Sequence, residues 1–290
     1  MIHTFGISQQ GKAHVRNNIV CQDAHYFKII DEGICIASVA DGLGSEKFSD
    51  IASKIASKSV VDYCVDKIGI DLEVKDILII LKEAFIYALN KIEKRAISDS
   101  GDINQYDTTL SMCVFFDGKL IYGHSGDSGI IALANDGKFY KVTEQQRDSY
   151  GRVYPLCFGE DYWKFEVFDK TVAGVILATD GILELFYPVY IKDMETSIYT
   201  SLAKYFLNIR LLSEENFNIN EYIKKRENYI DNIPEEVVDD DKTIIGIMDD
   251  KILVKWQDDS YYKEPDWNEF KKKYREKYNK KAYLEEYKNE

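Results

Sequence analysis

The sequence lacks several features that mark particular classes of protein. It has only four prolines in 290 residues, and its uninterrupted apolar runs, such as Ile77 to Leu81, are short. A transmembrane helix needs roughly 20 apolar residues. The chain begins Met-Ile-His-Thr, without the basic stretch, apolar segment and cleavage site of a secretory signal. We therefore expect no membrane span and a cytoplasmic protein.

Cysteine and histidine are scarce and are not spaced as zinc ligands. The five cysteines form no Cys-x-x-Cys pair, and the four histidines show no His-x-x-x-His spacing. Both patterns are typical of zinc sites, and an odd number of cysteines argues against a disulfide framework. We expect neither structural zinc nor disulfide bonds.

Positive charge is also in short supply. The formal net charge is -13, whereas binding to nucleic acid or anionic membranes needs cationic surface. We expect no nucleic-acid partner and no membrane partner. The hydrophobic fraction of 45% is enough for a sizeable core, so we expect one catalytic domain with appendages.

Apolar periodicity predicts the elements of the first half of the chain. Residues 34 to 40 form an apolar run that stops at Asp41-Gly42, as expected for a buried strand followed by a tight turn. Apolar residues recur at helical spacing in 48–64 and 77–96. Glycine-containing turns then separate four predicted strands, which we expect to form an antiparallel meander: 109–116, 119–124, 129–134 and 138–142.

The second half repeats the same pattern. Val175 to Thr179 is another apolar strand, and it too is followed by Asp-Gly, at residues 180 and 181. Residues 196 to 230 have a helical pattern, and a strand from Thr243 to Met248 follows. Because strands and helices come in blocks, the sequence predicts an α+β protein in which two sheets pack face to face with helices outside them.

The C-terminal residues, Asp258 to Glu290, are dense in Lys, Glu and Tyr. A helix would place Trp267, Phe270, Tyr274 and Tyr278 on one stripe. Such a stripe either docks on its own domain or binds a groove on a partner protein.

Four aspartates lie where predicted strands begin or end: Asp41, Asp127, Asp180 and Asp240. Any one of them alone would be interpreted as an ordinary turn residue. Together, carboxylates gathered at one sheet edge would repel each other unless cations neutralised them. Hard oxygen ligands favour magnesium or manganese.

The order of these motifs resembles the metal-dependent serine/threonine protein phosphatases of type 2C, and more closely their bacterial branch with a Gln-Asp opening motif. The resemblance covers about residues 4 to 250. It rests on six motifs in the family's order: Gly6-Ile7-Ser8 through Cys21-Gln22-Asp23-Ala24, Val39-Ala40-Asp41-Gly42-Leu43-Gly44-Ser45, Asp107-Thr108-Thr109, Ser125-Gly126-Asp127-Ser128, Ala178-Thr179-Asp180-Gly181 and Asp240-Asp241-Lys242-Thr243.

The resemblance implies a four-layer αββα sandwich of two antiparallel sheets flanked by helices. The phosphatase domain would span residues 1–255, with a flap-like segment at about 144–165 and a helical insertion at about 184–236. Residues 256–290 would form a charged, aromatic-rich helical tail.

The resemblance also implies a site with two Mn²⁺ or Mg²⁺ ions. Asp41 would bridge both ions, Gly42 would offer its carbonyl, and Asp180 and Asp240 would bind the second ion; Asp41, Asp180 and Asp240 are the expected catalytic residues. Asp23 would hold metal-bound waters, and Asp127 matches a residue that helps to hold a third ion in several relatives. A water bridging two ions can then attack the phosphoryl group.

Three positions depart from the family pattern. Gln22 stands where many relatives have Glu, and Leu43 stands where animal relatives have a His. Asn18 occupies the place of the phosphate-binding Arg, which leaves Arg16 or His14 as substitutes.

The flap-like segment offers further candidates for contact with a phosphopeptide: Arg147, Tyr150, Arg152 and Tyr154. The alternative is that these are ordinary surface residues.

The preferred function is therefore a phosphoserine/phosphothreonine protein phosphatase that acts on a serine/threonine kinase or its target. The missing Arg and His leave open a pseudophosphatase that only binds a partner. Because nothing in the flap identifies a peptide, a hydrolase of small phosphoesters is a third candidate.

Overall fold

A computed structural model describes residues 1–30, 33–69, 72–191 and 197–286. Its strands pair into two antiparallel five-stranded sheets. In spatial order, the first sheet contains β1 (Ile2–Gln9), β10 (Lys242–Asp249), β9 (Val172–Ala178), β6 (Gly129–Ala134) and β7 (Phe139–Lys141). The second contains β2 (Asp23–Ile30), β3 (Ile34–Asp41), β4 (Leu110–Phe116), β5 (Lys119–Ser125) and β8 (Lys164–Val167).

Helices cover the outer faces of both sheets, which confirms the α+β sandwich. The second sheet carries α2 (Ser49–Val65) and α3 (Val74–Ser98). The first sheet carries α4 (Asp180–Phe186), α5 (Thr200–Phe206) and α6 (Ile219–Asp231). Two further helices are α1 (Lys12–Asn17) and α7 (Trp267–Glu286). Within the described residues, no helix is both long enough and apolar enough to cross a membrane.

Strand β3 shows how the layers are joined. Cys35, Ala37 and Val39 pack between the two sheets, whereas Ile34 and Ile36 face the helical layer of α2 and α3. Side chains alternate between the two faces of a strand, and here both faces are buried. The predicted apolar run is thus explained by a strand with protein on each side.

The predicted meander is wrong. Strands β4 and β5 pair in the second sheet, and β6 and β7 pair in the first. Between them, at residues 126–128, the chain crosses from one sheet to the other, and β6 pairs with β9 instead of β5. Local turn signals do not reveal such a crossing, because all four strands are short, apolar and buried.

Three strands had no clear sequence signal: β1, β2 and β8. Each is only partly buried, and polar residues break up its apolar pattern. β1 and β2 nevertheless carry the two ends of the first family motif to the edge where the aspartates gather.

The segment at 184–236 contains more than one helix. Helices α5 and α6 are separated by a 3-10 turn at Ile209–Ser213. Residues 192–196 of this segment and residues 287–290 of the predicted tail lie outside the described residues.

The first half of α7 lies against the body of the protein. The ring centroids of Trp267 and Tyr199 are 4.9 Å apart, and those of Tyr274 and Tyr190 are 5.5 Å apart. Tyr278 is 65% exposed. These are contacts of the kind expected for a helix that docks on its own domain.

Helix α3 provides a matched test of the helical layer. Leu81 is fully buried, whereas Ile79 on the same helix is 58% exposed. We expect Leu81→Ala to lower the free energy of unfolding by about 2–5 kcal/mol, because it removes buried methyl groups and leaves a cavity. Ile79→Ala should change it by no more than about 0.5 kcal/mol. Urea unfolding measures both, and equal losses would contradict this packing.

Candidate metal centre

Asp41 ends β3, and its backbone is held by two buried threonines. Its amide nitrogen donates to Thr109 Oγ1 over 3.0 Å. Its carbonyl oxygen accepts hydrogen bonds from Thr108 Oγ1 at 2.9 Å and from the Thr109 amide at 2.8 Å. Asp23 lies directly opposite Asp41 in the β2–β3 pair. Opposite residues of an antiparallel pair project to the same face, so the second sheet presents two carboxylates together.

The first sheet adds Asp127 and Asp180. Asp127 lies where the chain crosses between the sheets, and Asp180 follows β9 and begins α4. One carboxylate oxygen from each of Asp41, Asp127 and Asp180 lies within 4.8 Å of the other two. The sandwich therefore brings three of the predicted ligands to one point.

Asp23 and Asp240 complete the group. The carboxylate of Asp23 is buried and accepts a hydrogen bond from Thr179 Oγ1 at 2.7 Å. Asp240 lies two residues before β10, and its side chain is 55% exposed. Its charge contributes to the raised pKa of both Asp41 and Asp180. The charges of Asp23, Asp127, Asp180 and Asp240 all raise the pKa of Asp41.

Burial and mutual repulsion raise the pKa values of these carboxyls. For Asp41 the main cause is burial, followed by the charges of Asp23 and Asp180. Burial, then Asp127 and Asp240, raise the pKa of Asp180 to about 6. A divalent cation would relieve this repulsion, and a set of carboxylate oxygens suits Mg²⁺ or Mn²⁺. The residues present therefore fit such a metal.

Gly42 is required by the packing of α2. A side-chain Cβ at this position would lie 2.6 Å from the backbone of Ser49, at the start of that helix. The Gly42 amide donates to the carbonyl of Gln22 at 3.1 Å. This links the opening motif to the end of β3.

Arg147 reaches from the flap-like segment into the carboxylate group. Its Nε donates to Asp127 Oδ2 at 2.8 Å, and its Nη2 lies 3.1 Å from Asp180 Oδ2 and 3.3 Å from Glu184 Oε1. The side chain of Arg147, which was expected to contact substrate, thus contacts two of the predicted metal ligands. It supplies positive charge to the carboxylate group. Burial raises the pKa of Asp127, whereas this charge lowers it.

The remaining predicted cations lie in different places. Arg16 forms an ion pair with Glu235. Arg152 is 78% exposed and pairs with Asp148 at 2.7 Å.

His14 is closer to the carboxylate group. Its Nδ1 lies 2.9 Å from Asp241 Oδ2, and its Nε2 lies 3.9 Å from Asp240 Oδ1. Of the three, it is the one with an ion-pair contact to a predicted ligand.

Asp241 is a site residue that the sequence analysis passed over. It is buried and accepts hydrogen bonds at 2.6 Å from the backbone amides of Gly11 and Gln22. Together with His14, it ties the opening motif to the loop that carries Asp240. The available signal was the second aspartate of the Asp240-Asp241 pair, immediately before a buried strand.

The backbone explains the asparagine at the position of the phosphate-binding arginine. Asn18 ends α1 with φ = 55° and ψ = 33°, in the left-handed region. Asparagine tolerates this conformation better than most other side chains. Its amide donates to the carbonyls of His14 and Val15, so this residue serves as a helix cap.

The flap-like segment is anchored at both ends to the second sheet. Burial lowers the pKa of His124 to about 4. The neutral ring therefore accepts from Ser111 Oγ at its Nδ1 (2.8 Å) and donates from its Nε2 to the carbonyl of Glu144 (2.9 Å). At the other end, β8 begins at Lys164 and pairs with β5, with Lys164 opposite His124. These anchors hold Arg147 in reach of the carboxylates.

A family comparison accounts for this arrangement. The sequence profile of the family described as Protein phosphatase 2C matches residues 10–213. The chain belongs to this family. It is accordingly a metal-dependent protein phosphatase, and the alternative of a binding module without activity is not favoured.

Solved structures show the same fold. A bacterial serine phosphatase is 14% identical with a TM-score of 0.57, covering 86% of this chain and 98% of its own. Serine/threonine phosphatase Stp1 from Staphylococcus aureus is also 14% identical, with a TM-score of 0.57 and coverages of 86% and 95%. The S. agalactiae serine/threonine phosphatase is 13% identical, with a TM-score of 0.59 and coverages of 86% and 99%. No curated protein matches the sequence significantly.

The carboxylate repulsion predicts how stability depends on pH in the metal-free protein. The folded-state pKa of Asp180 is about 6, above the value of about 3.9 for an unfolded chain. The folded state therefore holds this proton more tightly, and its contribution to stability falls as the pH rises from about 4 to about 6. We expect Asp180→Asn to raise the free energy of unfolding in chelator at pH 7.5 by on the order of 1–3 kcal/mol.

Urea unfolding in chelator at pH 5 and pH 7.5 measures this effect. The control is Asp117→Asn, in the exposed turn between β4 and β5, where φ is 45° and asparagine fits the backbone. Destabilisation by Asp180→Asn at pH 7.5 would mean that the ion pair with Arg147 outweighs the repulsion.

Proposed function

We propose that this phosphatase hydrolyses phosphoserine or phosphothreonine in proteins, using two Mn²⁺ or Mg²⁺ ions at the aspartate cluster. The observation that carries the proposal is the meeting of the Asp41, Asp127 and Asp180 oxygens within 4.8 Å. When bound, two such ions lower the pKa of a bridging water and stabilise charge on the phosphoryl oxygens.

Each residue has a proposed task. Asp41, whose backbone is fixed by Thr108 and Thr109, would be the ligand shared by the ions, and the Gly42 carbonyl would be a further ligand. Asp180 and Asp240 would hold the second ion. Asp23, fixed by Thr179, would orient water at the site. No protein nucleophile would be required, because bound ions supply an activated water.

A third ion at Asp127 is part of the proposal but has a competitor. Arg147 already donates to Asp127 and pairs with Asp180. A cation at Asp127 Oδ2 would compete with Arg147, which contacts that oxygen. Once released, the guanidinium can contact the substrate phosphate, for which its planar fork of donors is suited.

The proposed substrate is a phosphorylated protein, such as a serine/threonine kinase or its target. We propose residues 1–255 as the phosphatase domain, with the flap-like segment at 144–165 and the helical insertion at 184–236. Residues 256–290 are the proposed tail, and its helix α7 either docks on its own domain or binds a partner protein.

Asp41→Asn and Asp180→Asn test the metal centre. In Mn²⁺ we expect each to reduce kcat/KM for para-nitrophenyl phosphate and a phosphothreonine peptide by about a thousandfold, because a lost ligand removes several kcal/mol of transition-state stabilisation. Chelator should abolish the activity of the wild type, and Asp117→Asn should leave it unchanged. Full activity of either site variant would refute the assignment.

Arg147→Ala tests the competition at Asp127. Removing a competing cation should strengthen Mn²⁺ binding, measured by calorimetry, by roughly fivefold, while the KM for the phosphopeptide rises. Arg152→Ala is the control, because this flap arginine is exposed and pairs with Asp148. Weaker Mn²⁺ binding by Arg147→Ala would show that the arginine supports the metal site.

A further inference from the structure

A cleft of about 580 Å³ opens directly beside the metal centre. This volume lies within the range of about 300–1,000 Å³ typical of ligand sites. Two predicted metal ligands, Asp180 and Asp240, are among the residues that line it. Its walls come from α4, α5, α6, the loop before β10 and the start of α7, and they include Leu185, Tyr190, Tyr199, Tyr229, Val237 and Trp267.

The cleft exposes apolar side chains to water. Val237 is 58% exposed, Tyr229 38% and Tyr190 36%. Covering such surface is favourable by about 25 cal/mol per Å². A ligand with an apolar group would therefore gain free energy by entering here.

The aromatic wall is held in place before any ligand arrives. The Trp267 indole nitrogen donates to Glu264 Oε1 at 2.8 Å, and the Tyr199 hydroxyl donates to the same carboxylate oxygen. The Trp267 and Tyr199 rings meet edge to face at 4.9 Å. Tyr229 packs on Tyr205 with ring centroids 5.2 Å apart. A wall that is already ordered costs little entropy to bind against.

The connection to the metal centre identifies the occupant. Because Asp180 and Asp240 line the cleft, a phosphoryl group bound there would border it, and the residues next to the phosphorylated one could extend into it. An extended chain advances about 3.3–3.6 Å per residue, which places only the nearest few residues within the cleft.

We propose that this cleft binds an apolar side chain of the substrate, close in sequence to the phosphorylated serine or threonine. The inference rests on the proposed function. Much of the wall lies beyond residue 213, where the family match ends: Tyr229, Val237 and Trp267. The C-terminal tail thereby becomes part of the substrate site, as a specificity element next to the catalytic metals.

A set of phosphothreonine peptides tests this assignment. One leucine is moved through an alanine–serine sequence, from about four residues before the phosphothreonine to about four after it. In Mn²⁺, we expect kcat/KM to peak at one or two neighbouring positions, at least about tenfold above the others, as expected when a leucine side chain becomes buried. The difference should lie mainly in KM.

Variants of the wall connect this preference to the cleft. Trp267→Ala should bring the ratio between the best and worst peptides close to one, and Trp267→Phe should preserve most of it. Val237→Asp places a charge in the cleft at an exposed loop position, so it should abolish the preference without disturbing the core. Tyr278→Ala, on the same helix but 65% exposed and outside the cleft lining, should leave the profile unchanged.

The outcomes separate this inference from the proposed function. Hydrolysis of all peptides at equal rates, or a peak that survives both Trp267→Ala and Val237→Asp, would overturn the cleft assignment and leave the phosphatase intact. If neither peptides nor para-nitrophenyl phosphate were hydrolysed in Mn²⁺, the proposed function itself would fail, and the inference with it.

Discussion

The repulsion among buried carboxylates at one edge of the sandwich is the constraint on which the rest of the site depends. Asp23 and Asp41 come from the second sheet, while Asp127, Asp180 and Asp240 come from strand ends of the first. Burial raises the pKa values of Asp23, Asp41, Asp127 and Asp180. Such a cluster is unfavourable for folding, so the apolar core between the sheets must hold the two edges together against it.

The protein itself supplies only part of the required positive charge. Arg147 pairs with Asp127 and Asp180 but makes no described ion pair with Asp23 or Asp41. Asp23 and Asp41 thus keep their raised pKa values. Cations are the natural counter-charge for these two carboxylates, whereas the flap arginine pairs with Asp127 and Asp180. This division connects metal affinity to the position of the flap.

The sequence predicted the parts of the fold in which local pattern and burial agree. Strand β3 and the end of β9 were evident because an apolar run buried on both faces stops at Asp-Gly. The crossing at residues 126–128 was not evident, since the choice of a neighbouring strand is a tertiary property. β1 and β2 were missed because partly exposed strands carry mixed residues.

The candidate site likewise has features that the sequence predicted and features that it did not. Asp41, Asp127, Asp180 and Asp240 could be singled out because strand ends of one sandwich converge, whereas Asp23 was named only through the family resemblance. The contact of Arg147 with Asp127 was not, since it depends on how the flap is anchored through His124 and Glu144. From the sequence, Asn18 was interpreted as the loss of a phosphate-binding residue. Only its left-handed backbone conformation shows that it caps a helix.

Residues after 213, where the family match ends, form essential parts of the centre of the molecule. β10 lies between β1 and β9 in the first sheet, and Asp240 lies two residues before it. Asp241 fixes that loop by binding the amides of Gly11 and Gln22. One side of the loop is therefore tied to the opening motif. On its other side, Val237 and Asp240 line the cleft to which α7 also contributes. Because one rigid loop carries both a metal ligand and a wall of the cleft, a substrate side chain seated there is positioned relative to the metals by the same backbone that holds them.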